Sequence, residues 1–166
     1  EAQLYLRDFC DRLYAEDFAT PLENFEECSI NLFDTWLSEQ AVSAEPDAIW
    51  TEYCAGADSI PVPEENFDAC IHHWNQQYGD SHILTREGKV EIMYIRYNSR
   101  VRFDSPYGDL DKEWHLIEDW MQADARENAP ASADGMYFTS EDYWWYDTNG
   151  RLLSSAYVAA VIAIIT

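Results

Sequence analysis

Positive charge is what this chain lacks most. Its 166 residues carry 10 Lys or Arg against 32 Asp or Glu, a formal net charge of -22. That balance excludes a direct nucleic-acid role, because phosphate backbones are bound by cationic surfaces. An anionic membrane surface repels such a chain for the same reason. Catalytic signatures are missing too: there is no G-x-S-x-G elbow, no H-E-x-x-H pair, no glycine-rich phosphate loop and no cysteine beside a credible histidine. The chain therefore reads as a non-enzyme without a cofactor. No C-x-x-C occurs, and the adjacent His72 and His73 would point about 100° apart on a helix, which disfavours a zinc site with Cys70. The spaced acids and glycine of an EF-hand loop are absent, so calcium is disfavoured as well. No N-x-S/T sequon reports on compartment, and residues 1–30 hold no apolar core of a secretory signal.

Long apolar runs are also missing until the very end. Residues 152–166, LLSSAYVAAVIAIIT, contain no charged side chain. A bilayer core of about 30 Å takes roughly 20 apolar residues as a helix, and this run supplies most of them. Arg151 stands directly before it, and Tyr143, Trp144, Trp145 and Tyr146 lie about two turns upstream, where an interfacial aromatic belt would sit. The expectation is a folded domain recorded with the first turns of a membrane span. The competing expectation is a buried C-terminal core helix.

What is present can build a core: 47% of residues are hydrophobic and 15% aromatic, enough for one domain or a domain with an insertion. Residues 1–85 hold 18 Asp or Glu and only Arg7 and Arg12 as cations. This is a strongly negative cap, read first as a solvated surface and second as a face for cations or a basic partner. Cys10, Cys28, Cys54 and Cys70 all fall there. In a chain placed on the outer or lumenal side of a membrane they imply two disulfides. Three connectivities are open; pairing Cys10 with Cys28 and Cys54 with Cys70 is preferred because each closes a short loop, each bridge adding about 3 kcal/mol.

Apolar spacing predicts helices over 3–16 through Leu4, Leu6, Phe9 and Leu13, over 29–38 through Ile30, Phe33 and Leu37, and over 64–78 through Phe67, Ile71 and Trp74. Pro63 suits the start of the last of these. Between them, 40–63 reads as a long loop with a short helical stretch around Ile49, Trp50 and Tyr53. From Lys89, VEIMYIRYNSRVRF is β-branched and aromatic, with Val90, Ile92 and Tyr94 on one face and Met93, Ile95 and Tyr97 on the other. That predicts a strand buried on both sides. Leu110, Trp114, Ile117 and Met121 then make the stripe of an amphipathic helix ending near Asn128 and Pro130. A second strand is expected over 135–139, completing strand, helix, strand as one half of a split βαβ sheet. Ser140, Glu141 and Asp142 open a further helix that leads into the apolar run, with Gly150 as a point of interruption.

The segments LYLRDFCDRLY, CSINLFDTWLSEQ and FDACIHHW, followed by VEIMYIRYNSRVRFDSPYGDLDKEWHLIEDW and the Gly-aromatic stretch GMYFTSEDYWWYDTNGRLLSSAYVAAVIA, occur in an order that resembles the second large extracellular domain of Dispatched and Patched-like proteins. These belong to the RND transporter superfamily. Ala129-Pro130-Ala131-Ser132 stands where the family carries an Ala-Pro-Pro-Gly-like turn. The resemblance implies an α+β, ferredoxin-like porter domain between two membrane helices of a twelve-span protein, whose outer domains shape a path for a lipophilic or lipidated cargo. On it the chain divides into a helical, cysteine-containing acidic subregion (1–85), a βαβ part (86–139) and a helix leading into a truncated span (140–166). The partners implied are membrane lipid through the C-terminal helix, the rest of the same polypeptide, and such a cargo.

Other candidate residues have plain readings. Glu26 with Glu27 and Glu64 with Glu65 read as solvated helix faces, Glu118 and Asp119 as the polar side of their helix, and His82 and His115 as lone structural or exposed histidines. Tyr143, Trp144, Trp145 and Tyr146 face all sides of a helix, so they divide between packing and contact with cargo or interface. Two functions follow: an outer domain of a Dispatched-like transporter, or a structural, interacting ectodomain of a membrane protein without transport activity.

Overall fold

The computed structural model describes residues 1–20, 28–79, 83–102, 104–133, 135, 136, 138 and 143–165. It is an α+β protein that divides into two compact units, Glu1–Asn98 and Ser99–Thr166. The first contains helices α1 (Ala2–Ala15), α2 (Ser29–Val42), α3 (Ala48–Tyr53) and α4 (Glu64–Gln77), then a hairpin of β1 (Ile83–Arg86) and β2 (Lys89–Met93). The second contains α5 (Tyr107–Trp120), which runs into a π-helical turn at Met121–Arg126, and α6 (Tyr143–Ile165).

The core of the first unit is the predicted stripe of α2 against that of α4. Ile30, Phe33, Leu37 and Ile71 are fully buried, and Trp36 and Trp74 nearly so. The ring of Phe33 meets Trp74 edge-on at 5.2 Å and Trp36 in a stack at 6.0 Å. Burying one such side chain contributes about 2–3 kcal/mol, and offset or edge-on ring contact adds to it. The indole N–H groups of Trp36 and Trp74 find no acceptor among the described residues.

Covalent links reinforce this core, with Cys10 of α1 bonded to Cys28 beside α2 and Cys54 at the end of α3 bonded to Cys70 of α4. Both are the local pairings.

α1 departs from its predicted stripe. Phe9 and Leu13 are buried, but Leu4 is exposed and Leu6 only partly covered, while Gln3 goes inward. The reason is a polar clamp: Gln3 Nε2 donates to the Val62 carbonyl and Gln3 Oε1 accepts from the Val62 N–H, both at 2.9 Å. The amide completes the backbone bonding of a loop that has no strand partner. Asp34 of α2 does related work, accepting from the Ile60 N–H at 2.7 Å and from Arg7 of α1 at 3.2 Å. Asp47 caps α3 through the Ile49 N–H.

The hairpin turns at Glu87 and Gly88, both with positive φ (52° and 76°), as a two-residue turn of this hand requires. Its ladder pairs Leu84 with Ile92 but Thr85 with Val90, so Glu91 is an extra residue on β2. The slip moves Val90 to the core-facing side with Met93 and Ile95, while Ile92 and Tyr94 face solvent with Leu84. The expected grouping of Val90, Ile92 and Tyr94 on one face, and burial on both faces, is therefore corrected. A period-two reading cannot see a bulge.

In the second unit, α5 and the π-helical turn that follows it bury Leu110, Ile117 and Met121 as predicted, with Trp114 partly covered. Glu113 joins that stripe, 2% exposed, held by Arg100 Nε at 3.0 Å and Ser99 Oγ at 3.2 Å. A single buried carboxylate is tolerated because both oxygens are bonded. The strand expected over 135–139 is not formed at Gly135, Met136 or Phe138; Tyr137 and Thr139 lie outside the described residues. β2, read in sequence together with α5, belongs to the first unit. α6 passes through Gly150 without a break.

Candidate functional site

Within the second unit, aromatic and polar side chains gather where α6 departs from α5. Tyr107, Asp111 and His115 recur every four residues on α5 and so share one face. Tyr146, in the first turn of α6, donates its hydroxyl to Asp111 Oδ1 at 2.6 Å, and Tyr107 donates to the same oxygen at 3.4 Å. The two tyrosine rings stack at 5.3 Å and 9°, and Trp114 stacks on Tyr146 at 5.6 Å. His115 Nδ1 bonds the Asp111 carbonyl at 2.8 Å. Burial, and then the Asp111 carboxylate, push the Tyr146 hydroxyl well above the usual tyrosine range. A phenol held in its protonated form is a permanent donor. Its chemistry here is that of a fastening between helices rather than of a base or nucleophile.

One turn on, Gly150 lets Tyr107 come close: a Cβ there would lie 3.0 Å from Tyr107 Oη. Tyr107, Tyr146, Asp147, Gly150, Arg151, Ser154 and Ser155 line an open cleft of about 490 Å³. Arg151 Nε pairs with Asp147 across one helical turn at 2.9 Å, both side chains well exposed. Beyond Arg151 the surface of α6 changes character. Residues 151–160 are all exposed, with Leu152 at 60%, Tyr157 at 72% and Val158 at 53%. The uncharged stretch that starts at Leu152 extends about 20 Å at 1.5 Å per residue. No helix among the described residues is long and apolar enough to cross a membrane.

The remaining predicted residues are dispersed. Tyr143, Trp144 and Trp145 begin α6, but their side chains lie outside the described residues, as do Glu26, Glu27 and His82. Glu64 and Glu65 are exposed in the first turn of α4, where negative charge suits the helix dipole. Glu118 pairs with Arg126 at 3.2 Å and Asp119 is exposed. His72 Nδ1 bonds Thr85 Oγ1 at 2.7 Å, joining α4 to β1, while His73 stacks on Tyr53 at 3.9 Å. Among the described residues no three His, Cys, Asp or Glu side chains gather to hold a metal ion.

Sequence reasoning missed Asp111 and Glu113. Glu113 had a visible signal, since it lies three residues after Leu110 and four before Ile117, on the apolar stripe itself. Asp111 had none, because its role depends on Tyr146, thirty-five residues away. No family model, no curated protein and no solved structure matches the chain.

Proposed function

We propose that this chain is the extracellular or lumenal domain of an RND-type, Dispatched-like membrane transporter, shaping passage or binding of a lipophilic or lipidated cargo. The observation that carries the reading is α6. Its surface over 152–160 is uncharged and exposed on every side, so the second unit leaves about 1.5 to 3 kcal/mol per large aliphatic side chain to be recovered by another apolar medium. Lipid is such a medium, and the fastening of Tyr146 to Asp111 fixes the angle at which the helix leaves its unit. Two disulfides agree with an oxidising compartment.

The same reading assigns a ferredoxin-like, split βαβ porter-type fold. Its support is the order along the chain of the strand-forming segment at Lys89 and the amphipathic α5. The alternative, a structural or interaction ectodomain of a membrane protein within a larger assembly, shares the membrane anchor and has no transport activity.

Flotation with phosphatidylcholine vesicles tests the anchor. The chain should rise with the vesicles, and the variant carrying Val158→Asp and Ile162→Asp should rise markedly less, with unchanged circular dichroism. Equal recovery of both proteins with and without vesicles would contradict the anchor. A photoactivatable sterol in the same vesicles should label 143–146; anchoring without label there favours the interaction ectodomain.

A further inference from the structure

The hairpin of the first unit carries an outer face that its own unit does not cover. Leu84, Ile92 and Tyr94 are 46%, 38% and 46% exposed, with Leu84 and Ile92 directly paired across the ladder. Charge is distributed unusually around them. Residues 1–98 contain five Lys or Arg. Arg7 and Arg12 sit on α1 and are paired with Asp34 and Asp8. The other three, Arg86, Lys89 and Arg96, lie on the hairpin or just after it, and all are exposed. Arg86 pairs with the exposed Glu91 at 3.4 Å, and the exposed Glu87 follows it in the turn. Three of the five cations of this acidic unit thus lie along the segment that exposes Leu84, Ile92 and Tyr94, with Glu87 and Glu91 among them, so the net charge of 83–96 is slightly positive.

We propose that this hairpin face is a lipid-contact surface. Leu84, Ile92 and Tyr94 enter the interfacial layer of a bilayer, and Arg86, Lys89 and Arg96 meet headgroup phosphates. An aromatic hydroxyl beside aliphatics, rimmed by cations whose stems are themselves apolar, is the composition that interfacial insertion selects. Other occupants fit worse. A second copy brings net charge -22 against an acidic unit, and three side chains fall far short of the roughly 800 Å² per partner that a specific protein interface takes. Strand addition by another protein is opposed by the extra residue at Glu91 and by Arg86 and Lys89 at the strand ends, devices that protect a sheet edge from pairing. The proposal rests on the first unit alone and does not require α6 to enter lipid.

The test exploits the cysteines. None is free, so Ile92→Cys and, as a control on α4, Glu65→Cys each offer a single thiol for an environment-sensitive nitrobenzoxadiazole label. A C-terminal hexahistidine tag and nickel-chelating lipid in phosphatidylcholine vesicles hold every chain at the bilayer whether or not α6 anchors it. Dithionite added outside the vesicles then reports depth. Reduction of the label at position 92 should be slower than at 65 by about fivefold or more, as for groups buried several ångströms into the interface. Adding Leu84→Asp and Tyr94→Asp should restore the fast rate. Equal rates at 92 and 65 overturn the proposal. So does shielding at 92 without lipid that sedimentation traces to a dimer. Neither result bears on the flotation of α6.

Discussion

Replacing Gln3 by Met should cost the first unit about 2 kcal/mol. Met keeps the length of the side chain and can fill the same space, but it can neither donate to the Val62 carbonyl nor accept from the Val62 N–H. Val62 is 2% exposed, so water cannot replace the lost partner without opening the loop. A stranded buried group costs about 1–3 kcal/mol, and the added apolar burial of Met returns part of the sum over two such groups. In urea, with disulfides intact, a slope of about 2 kcal/mol/M turns that loss into a midpoint about 1 M lower. Hydrogen exchange gives the local readout: the Val62 amide should lose most of its protection.

Gln3→Glu sharpens the test. The introduced carboxylate accepts from the Val62 N–H but faces the Val62 carbonyl, whereas the protonated acid donates to it. The folded protein therefore raises the pKa of this new carboxyl above the ordinary glutamate value of about 4.3. The variant should match the parent most closely below that value and lose stability as pH rises through the folded pKa. An unchanged midpoint and unchanged exchange at Val62 in Gln3→Met would refute the reasoning.

Reduction of both disulfides should lower the stability of the first unit by about 3 kcal/mol per bridge, read as a denaturant midpoint with and without a phosphine reductant. In an alkaline titration followed by tyrosinate absorbance, Tyr146→Phe should remove one of the last tyrosines to ionise, and Asp111→Asn should bring that ionisation to lower pH. Because the folded pKa of Tyr146 is raised, its contribution to stability is full below about pH 10 and is lost as pH climbs through the folded value. Tyr78 donates to Asp47 and, with the Ile49 N–H, holds that carboxyl below its usual value. Stability from this pair is present above the ordinary aspartate pKa and declines on acidification, and Tyr78→Phe should flatten that limb. Arg100→Met leaves the Glu113 carboxylate buried beside Ser99 alone and should cost about 2–3 kcal/mol, below a fully buried pair because Arg100 is half in water; calorimetry of the variant checks it.

Helix periods were legible because they are local. Ile30, Phe33 and Leu37, or Leu110, Ile117 and Met121, declare a face by spacing alone. The disulfide pairs were legible for a similar reason, since short loops favour neighbours. What the sequence concealed depends on partners remote along the chain. Gln3 looks like a surface residue until Val62 is placed over it, and Asp111 is ordinary until Tyr146 arrives. The hairpin failed differently. Val90, Ile92 and Met93 suit a strand, yet one inserted residue, Glu91, moves Val90 to the face opposite Ile92 and Tyr94, and composition carries no trace of that phase. The apolar tail was legible as composition, while its exposure on all sides is known only from the folded unit.

All four cysteines lie in one of the two units, and this asymmetry has a mechanical meaning. Under tension the second unit has only non-covalent contacts to resist with and can extend to its full length. The first cannot: the loops closed by Cys10–Cys28 and Cys54–Cys70, with sequence separations of 18 and 16, stay shut, withholding about 120 Å of contour at roughly 3.5 Å per residue. A pull on α6 would therefore meet a compliant segment backed by one with a hard stop, and the protein's extensibility would depend on the redox state of its surroundings.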